Sequence, residues 1–355
     1  MVERPDFENR FKRAVLRQGE PDRVPLGDVT IDMTHKERFL GRPIKGPEDE
    51  IEFWAGAGFD FIPAEAGIQV SAVMDASKRK VKAQYALFDY AETERGWVEE
   101  QKGVIHDDAE FNEFPWPNVD DLDFSRFDRL SKVLPPGMRI MGALGKIFNS
   151  VWWFMGFQHF AEAVVENPDF VQRMFDKIAA IQLDVLDRIL EYDEVGAVIH
   201  ADDLGYSEAL MISPRHLRRF LFPWYRELVE RIHAKGKLAI FHSDGKIDAV
   251  MPDIIACGFD AVHPFEPKAM DIVEMKRLYG DRICLMGNID LGYTLTRGTP
   301  DEVIAECRER LRVLAPGGGY CLASSNSIPE YVPYDNFLAL LDTVYRYGRY
   351  PIEID

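Results

Sequence analysis

The sequence predicts an α/β fold: a (β/α)8 barrel of the TIM type with an insertion between its second and third strands. Three observations carry that expectation. Short apolar runs return eight times along the 355 residues. Amphipathic helical segments separate most of these runs, and strands apolar on both faces alternating with helices make a parallel sheet. No Gly-x-Gly-x-x-Gly follows any run, which favours a closed barrel over an open, doubly wound sheet.

The chain starts with Phe7, Phe11, Ala14 and Val15 at helical spacing. This stretch is charged from residue 3 and has no apolar h-region, so it is expected to be an amphipathic helix and not a signal peptide. The eight strand candidates are Val24–Val29, Phe59–Pro63, Arg139–Ala143, Val195–Ala201, Lys237–His242, Phe259–His263, Arg282–Gly287 and Gly319–Ala323. Asn167–Leu190 and Thr299–Leu314 open on Asn-Pro and Thr-Pro, which are helix start signals. GAGFDFIPAE at 56–65 resembles ACGFDAVHPFE at 256–266: a helix ending in Gly, then a strand with a polar end. Gly317-Gly318-Gly319 precedes a strand and not a helix, so it predicts a tight turn and not a phosphate loop. Residues 70–135 are too long for a helical crossover. Within them GWVEEQKGVIHD alternates like a hairpin and FPWPN is a proline turn, together an excursion near the barrel mouth. No linker divides residues 1–355, which predicts a single domain.

Hydrophobic residues are 46% of the chain and charged residues 29%, the balance of a globular protein with a large core. A net charge of −18 would repel phosphate and excludes nucleic acid as a partner. No run of about 18 apolar residues occurs, so no membrane helix is expected and the cytoplasm is the predicted location. Cys257, Cys284, Cys307 and Cys321 are widely spaced and are expected to be reduced and mostly buried.

In such a barrel the polar residues at the C-terminal strand ends converge on one mouth. The candidates are Asp28, Asp32 and His35 after the first strand, Glu65 after the second, and His200, Asp202 and Asp203 after the fourth. His242 and Asp244 follow the fifth strand, His263 and Glu266 the sixth, Asn288 and Asp290 the seventh, and Ser325-Asn326-Ser327 the eighth. Any one of them could be a helix cap or a satisfied loop residue. His242-x-Asp244 is the sharpest feature, because residues two apart at a strand end face the same side. His242, Asp244 and Asp202 could ligate zinc, with Asp203 or Glu65 nearby; alternatively a carboxylate orients His242 as a general acid. Phe148–Phe154, with Trp152 and Trp153, is either core or the wall of a pocket for a flat ligand.

ISPRHLRRFLFPWYREL, IFHSDGKIDAVMPDIIACGFDAVHPFEP, YGDRICLMGNID, GTPDEVIAECRERL and APGGGYCLASSNSIPEYVPYDN together resemble the uroporphyrinogen decarboxylase superfamily. The resemblance implies an α/β barrel and one of three activities. The decarboxylases of that family grip their substrate's carboxylates with an Arg-rich loop after the first strand, where this chain has Asp28–His35. Glu65 corresponds to the decarboxylase aspartate, and Asn326 falls near a histidine usual at the last strand. The family's coenzyme M methyltransferases hold zinc through His-x-Cys and a later Cys. In this chain His242 matches the histidine, while Asp244 and Asn326 stand for the cysteines. The remaining branch moves a methyl group from a small methylated donor, such as a methoxylated aromatic, to a corrinoid protein. That branch implies O-demethylation with catalytic His242, Asp244, Asp202, Asp203 and Glu65. It also implies substrate contacts at Asp28, Asp32, Trp152, Trp153, Tyr206 and Asn326, a corrinoid on a partner protein, and possible zinc. A tetrapyrrole decarboxylase and a non-catalytic binding barrel are the alternatives. For a corrinoid partner, the 70–135 excursion around Trp97 would be a docking rim or lid.

Overall fold

Strands β1 Phe61–Glu65, β4 Arg139–Leu144, β5 Val195–Ala201, β6 Leu238–His242, β7 Ala261–His263, β8 Cys284–Ile289 and β9 Tyr320–Ser324 form one curled parallel sheet in chain order. These coordinates come from a computed structural model that describes residues 4–66, 79–82, 94–97 and 103–354. Every residue of β8 and of β9 is buried. A strand covered on both faces has no polar alternation, so these segments appear in the sequence as unbroken apolar runs.

Seven of the eight expected strands are therefore present. The exception is Val24–Val29, which lies beside β9 without becoming a regular strand. Gly27 N donates to Leu322 O at 2.8 Å, Leu322 N donates to Pro25 O at 3.0 Å, and Leu26 bridges Leu322 in parallel. Pro25 has no N–H to extend the ladder. Asp28 then substitutes its side chain for backbone, taking Ser324 N at 3.0 Å and Ser324 Oγ at 2.6 Å.

The helical signals hold at atomic detail. Asn167 accepts from Phe170 N ahead of Pro168–Leu190, and Thr299 and Glu302 form a reciprocal capping box ahead of Pro300–Leu314. Phe7, Phe11, Ala14 and Val15 are all buried. Arg10 ties this N-terminal helix to the base of β1 by ion pairs to Asp60 and Asp22, each 2.7 Å. Gly58 and Gly258 both adopt left-handed φ, at 92° and 97°, before β1 and β7, in keeping with the repeat. Gly317, Gly318 and Gly319 are all left-handed, which only a glycine turn tolerates readily.

The insertion differs from its expected limits. Helix Ser125–Val133 packs on β1 and β4 and is the ordinary crossover between them, so the excursion ends before it. β3 (Glu94–Trp97) pairs antiparallel with the upstream β2 (Arg79–Lys82), while the middle of the hairpin expected in GWVEEQKGVIHD, residues 98–102, lies outside the described residues. Much of the expected excursion, residues 67–78, 83–93 and 98–102, lies outside the described residues. The four cysteines are free and buried, and among the described residues no helix is long and apolar enough to cross a membrane.

One surface ion pair yields a pH prediction. His233 Nε2 lies 2.9 Å from Asp260 Oδ2, a hydrogen bond that raises the imidazole above its ordinary value. A raised folded value means the pair's stabilisation is complete below about pH 6.5 and fades as pH rises through the folded value. His233→Gln should therefore lower the urea midpoint more at about pH 5.5 than at about pH 8.5. An equal loss at both would show that the charge contributes nothing.

Candidate active site

At the C-terminal edge of the sheet, Ala201, His242 and His263 stand side by side on β5, β6 and β7. Above them opens a pocket of about 340 Å³ whose floor and walls include His242, Lys146, Glu65, Asn326, Leu144, Ile199 and Trp153. The lining is mainly apolar with a few polar groups among it, the usual make-up of a small-molecule site.

The polar pole is built from residues 203, 242 and 244. His242 Nε2 lies 3.6 Å from Asp244 Oδ1 and 3.9 Å from Asp203 Oδ1. Burial pushes the His242 imidazole down to about 4, against the pull of Asp203 and with the help of Lys146. Burial pushes Asp203 up, but the Lys146 ammonium, 2.5 Å from Oδ2, and His242 outweigh it and hold the carboxyl below its ordinary value. Asp244 goes the other way: burial and then the Asp203 charge push it up to about 7, although Asn326 Nδ2 donates to both its oxygens at 2.9 and 2.7 Å. Glu266 is likewise pushed up to about 7 by burial and by Asp244 and Asp203. Two carboxyls with opposite shifts in one site are the pattern of acid–base or cation chemistry.

Three supports set this geometry. Asn149 braces the Asp203 backbone, its Oδ1 accepting from Asp203 N at 2.7 Å and its Nδ2 donating to Asp203 O at 3.0 Å. His242 Nδ1 and His263 Nδ1 are 2.8 Å apart, so one donates to the other. His263 is buried and its Nε2 has no hydrogen-bond partner among the described residues, so the bond to His242 is the one that orients its ring there. Gly245 has φ 80°, and a Cβ there would stand 2.2 Å from Gly205 O. Gly245→Ala is expected to destabilise the fold by about 1–3 kcal/mol in urea unfolding; an unchanged midpoint would show that the turn relaxes freely.

The structure brings together only part of the sequence-predicted set. His242, Glu65, Trp153 and Asn326 line the pocket. Asp203 and Asp244 join His242, but Asp202 does not. It is fully buried and faces away, its carboxylate taking Ile147 N, Phe148 N, Asn149 N and Tyr225 Oη at 2.7–3.1 Å. The cation-capable trio is thus Asp203, His242 and Asp244, a correction to the expected ligand set. Asp28 is also buried, closed off by Ser324, and Asp32 caps helix Met33–Leu40 through Thr34 N. Trp152 is buried in the core, whereas Tyr206 is 52% exposed, and neither lines the pocket. Lys146 and Asn149 were missed, because they sit in a loop and helix start that carry no local motif.

The trio fits a divalent cation. One donor atom from each residue lies within 4.8 Å of the others, and no other group of three does so among the described residues. Ligands about 2.0–2.2 Å from tetrahedral zinc stand roughly 3.4 Å apart, close to the measured 3.6 and 3.9 Å. A ligating histidine also needs an acceptor for its other N–H, which His263 Nδ1 supplies. The buried cysteines take no part.

Polar groups converging at the C-terminal strand ends of a curled parallel sheet, beneath an apolar pocket, define a site of the α/β-barrel class. The chain belongs to the uroporphyrinogen decarboxylase (URO-D) family, whose model matches residues 125–347. It is 31% identical over 152 residues to the methylcobamide:CoM methyltransferase MtaA of Methanosarcina barkeri, covering 42% of this chain and 41% of that protein. It is 27% identical over 232 residues to a uroporphyrinogen decarboxylase of Chlorobium luteolum, covering 60% and 62%. The chain thus spans about two fifths to three fifths of the length of these curated relatives. A solved methyltransferase from Methanosarcina mazei superposes with a TM-score of 0.68 at 17% identity, over 94% of this chain and 97% of that one, which shows a shared fold.

Proposed function

We propose that this protein is a single-domain, cobamide-dependent methyltransferase, moving a methyl group from a small methylated donor such as a methoxylated aromatic to a corrinoid protein. The observation that carries this reading is the conjunction of the Asp203–His242–Asp244 trio with a mainly apolar pocket that His242 lines together with Leu144, Ile199 and Trp153. An ether methyl is displaced only when its oxygen is protonated or bound by a Lewis acid. His242 and Asp244, with Asp203, would hold zinc, which when bound supplies Lewis acidity toward that oxygen. The chain's own groups do the positioning. Trp153, Leu144 and Ile199 hold the aromatic body and exclude water. Asn326 fixes Asp244, Lys146 keeps Asp203 ionised, and His263 holds the His242 ring in its plane. The methyl then faces the open mouth, where cobalt, carbon and oxygen can align. A reduced corrinoid presented by its partner protein would supply the two electrons of the new bond to the methyl carbon, and the C–O electron pair would leave with the donor oxygen.

A porphyrinogen decarboxylase would need cations for several carboxylates. Among the described residues, the one lysine or arginine lining the main pocket is Lys146, already paired with Asp203. The test mixes the protein, reduced corrinoid protein and a panel of methoxyarenes, and follows loss of the cobalt(I) absorbance. Porphyrinogen turnover without methylation of the corrinoid would reverse the reading in favour of the decarboxylase, and inactivity in both would leave a binding barrel.

The ligand set has its own check. A variant with all four cysteines replaced should retain stoichiometric zinc affinity in a chelator competition, whereas His242→Ala should lose it by about 10-fold or more. Retention of zinc by His242→Ala would move the metal elsewhere.

A further inference from the structure

Two members of the cation-capable trio have evident supports. His242 ends strand β6, and Asn326 holds both carboxylate oxygens of Asp244. Asp203 lies two residues past the end of β5, and the last bond of that ladder runs from Asp202 N to His242 O. Its main chain is gripped instead by one side chain. Asn149 Oδ1 accepts from Asp203 N at 2.7 Å, and Asn149 Nδ2 donates to Asp203 O at 3.0 Å. An amide matched to the N–H and C=O of one residue acts as a neighbouring strand would, fixing that residue's rotation as a single bond cannot.

Asn149 is itself held from behind. It stands in the first turn of helix Phe148–Met155, is 2% exposed, and donates its own N–H to the Asp202 carboxylate at 2.9 Å. The Asp203 carboxylate meets other groups. Its Oδ2 pairs with Lys146, while Oδ1 accepts from Asp244 N at 3.1 Å and lies 3.9 Å from His242 Nε2. Among the described residues the Asn149 side chain bonds to the Asp203 main chain alone, and it does not line the pocket.

We propose that Asn149 is a positioning residue for cation binding: it aims the Asp203 carboxylate through the backbone, and the cation affinity of the trio depends on it. The inference rests on the zinc reading of the trio and extends it to a residue that never touches the ion. Three ligands hold one ion well only when their donor atoms converge, and a ligand on a loose segment loses its freedom at each binding event. A carboxylate aimed in advance by a buried amide has lost that freedom already, in folding. Lys146 cannot replace the clasp, because it pairs with the carboxylate and leaves the main chain free to turn.

Zinc and cobalt(II) are the probes, with no corrinoid and no methyl donor present. Asn149→Leu keeps the volume and loses both bonds. Its zinc affinity in a chelator competition is expected to fall about 10- to 100-fold. The visible absorption of bound cobalt(II) should change with it, since that absorption follows the coordination geometry. Thr343→Ala removes a buried hydroxyl from the outer helix Tyr334–Tyr347 and should leave both readings at wild-type values, which separates aim from lost stability. The wild-type protein gives a further reading that needs no variant: the Asp203 amide hydrogen should exchange slowly with deuterium, and more slowly with zinc bound. Unchanged zinc affinity or cobalt spectrum in Asn149→Leu, equal changes in Thr343→Ala, fast exchange at Asp203, or a wild-type protein that binds no zinc would each overturn the proposal. Zinc binding that depends on Asn149 in a protein that moves no methyl group would overturn the methyl-transfer reading alone. Methyl transfer with a zinc affinity indifferent to Asn149 would overturn the positioning role alone.

Discussion

Asp244→Asn is expected to slow methyl transfer by about 10²- to 10⁴-fold with the fold intact. Asp244 is the carboxyl nearest His242 Nε2 at the pole of the pocket, at 3.6 Å, and Asn326 holds both its oxygens in place. The amide keeps the volume and one acceptor oxygen but neither carries the charge nor releases a proton to a leaving oxygen. The loss should fall on kcat, because the carboxyl lies at the reacting end and the donor's body is held by Trp153 and its neighbours. Single-turnover transfer to the reduced corrinoid protein is the measurement, with urea unfolding as the control. Transfer within about threefold of wild type would remove Asp244 from the chemistry.

Asp202→Ala is expected to cost about 3–5 kcal/mol of stability, the second large effect. Its carboxylate receives three successive backbone N–H groups, from Ile147, Phe148 and Asn149, and the Tyr225 hydroxyl, all buried. Alanine leaves all four donors without an acceptor at the start of helix Phe148–Met155. That helix carries Trp153, and Lys146 and Asn149 flank its beginning, so pocket order should fall with stability. Asp202→Asn, which keeps one acceptor, should cost less. Urea unfolding gives the numbers, and a loss below about 1 kcal/mol would mean that water or a neighbour takes over the anchor.

The sequence alone already determined the sheet and its order. The apolar runs expected at Arg282–Gly287 and Gly319–Ala323 fold into β8 and β9, buried on both faces, and the caps at Asn167 and Thr299 act locally, through bonds to residues three positions on. The mutual placement of His242 and Asp244 was legible for the same reason, since a stride of two along a strand end returns to one face. The first strand was overestimated, because its pairing with β9 depends on Asp28 and Ser324, which are 296 positions apart.

The choice between neighbouring acids was made only by the tertiary structure. Val195–Ala201 is apolar or small at nearly every position, so its sequence carries no parity to say which alternate residues face the pocket. In the fold Ile199 and Ala201 line it and Asp203 continues that side. His200 and Asp202 face the other way, into the helical layer, where Tyr225 meets both. Lys146, Asn149 and Asn326 join the site from the ends of β4 and β9 and their following segments. Only the curl of the sheet brings them to Asp203 and Asp244, and contacts between such distant segments leave no local pattern in the chain.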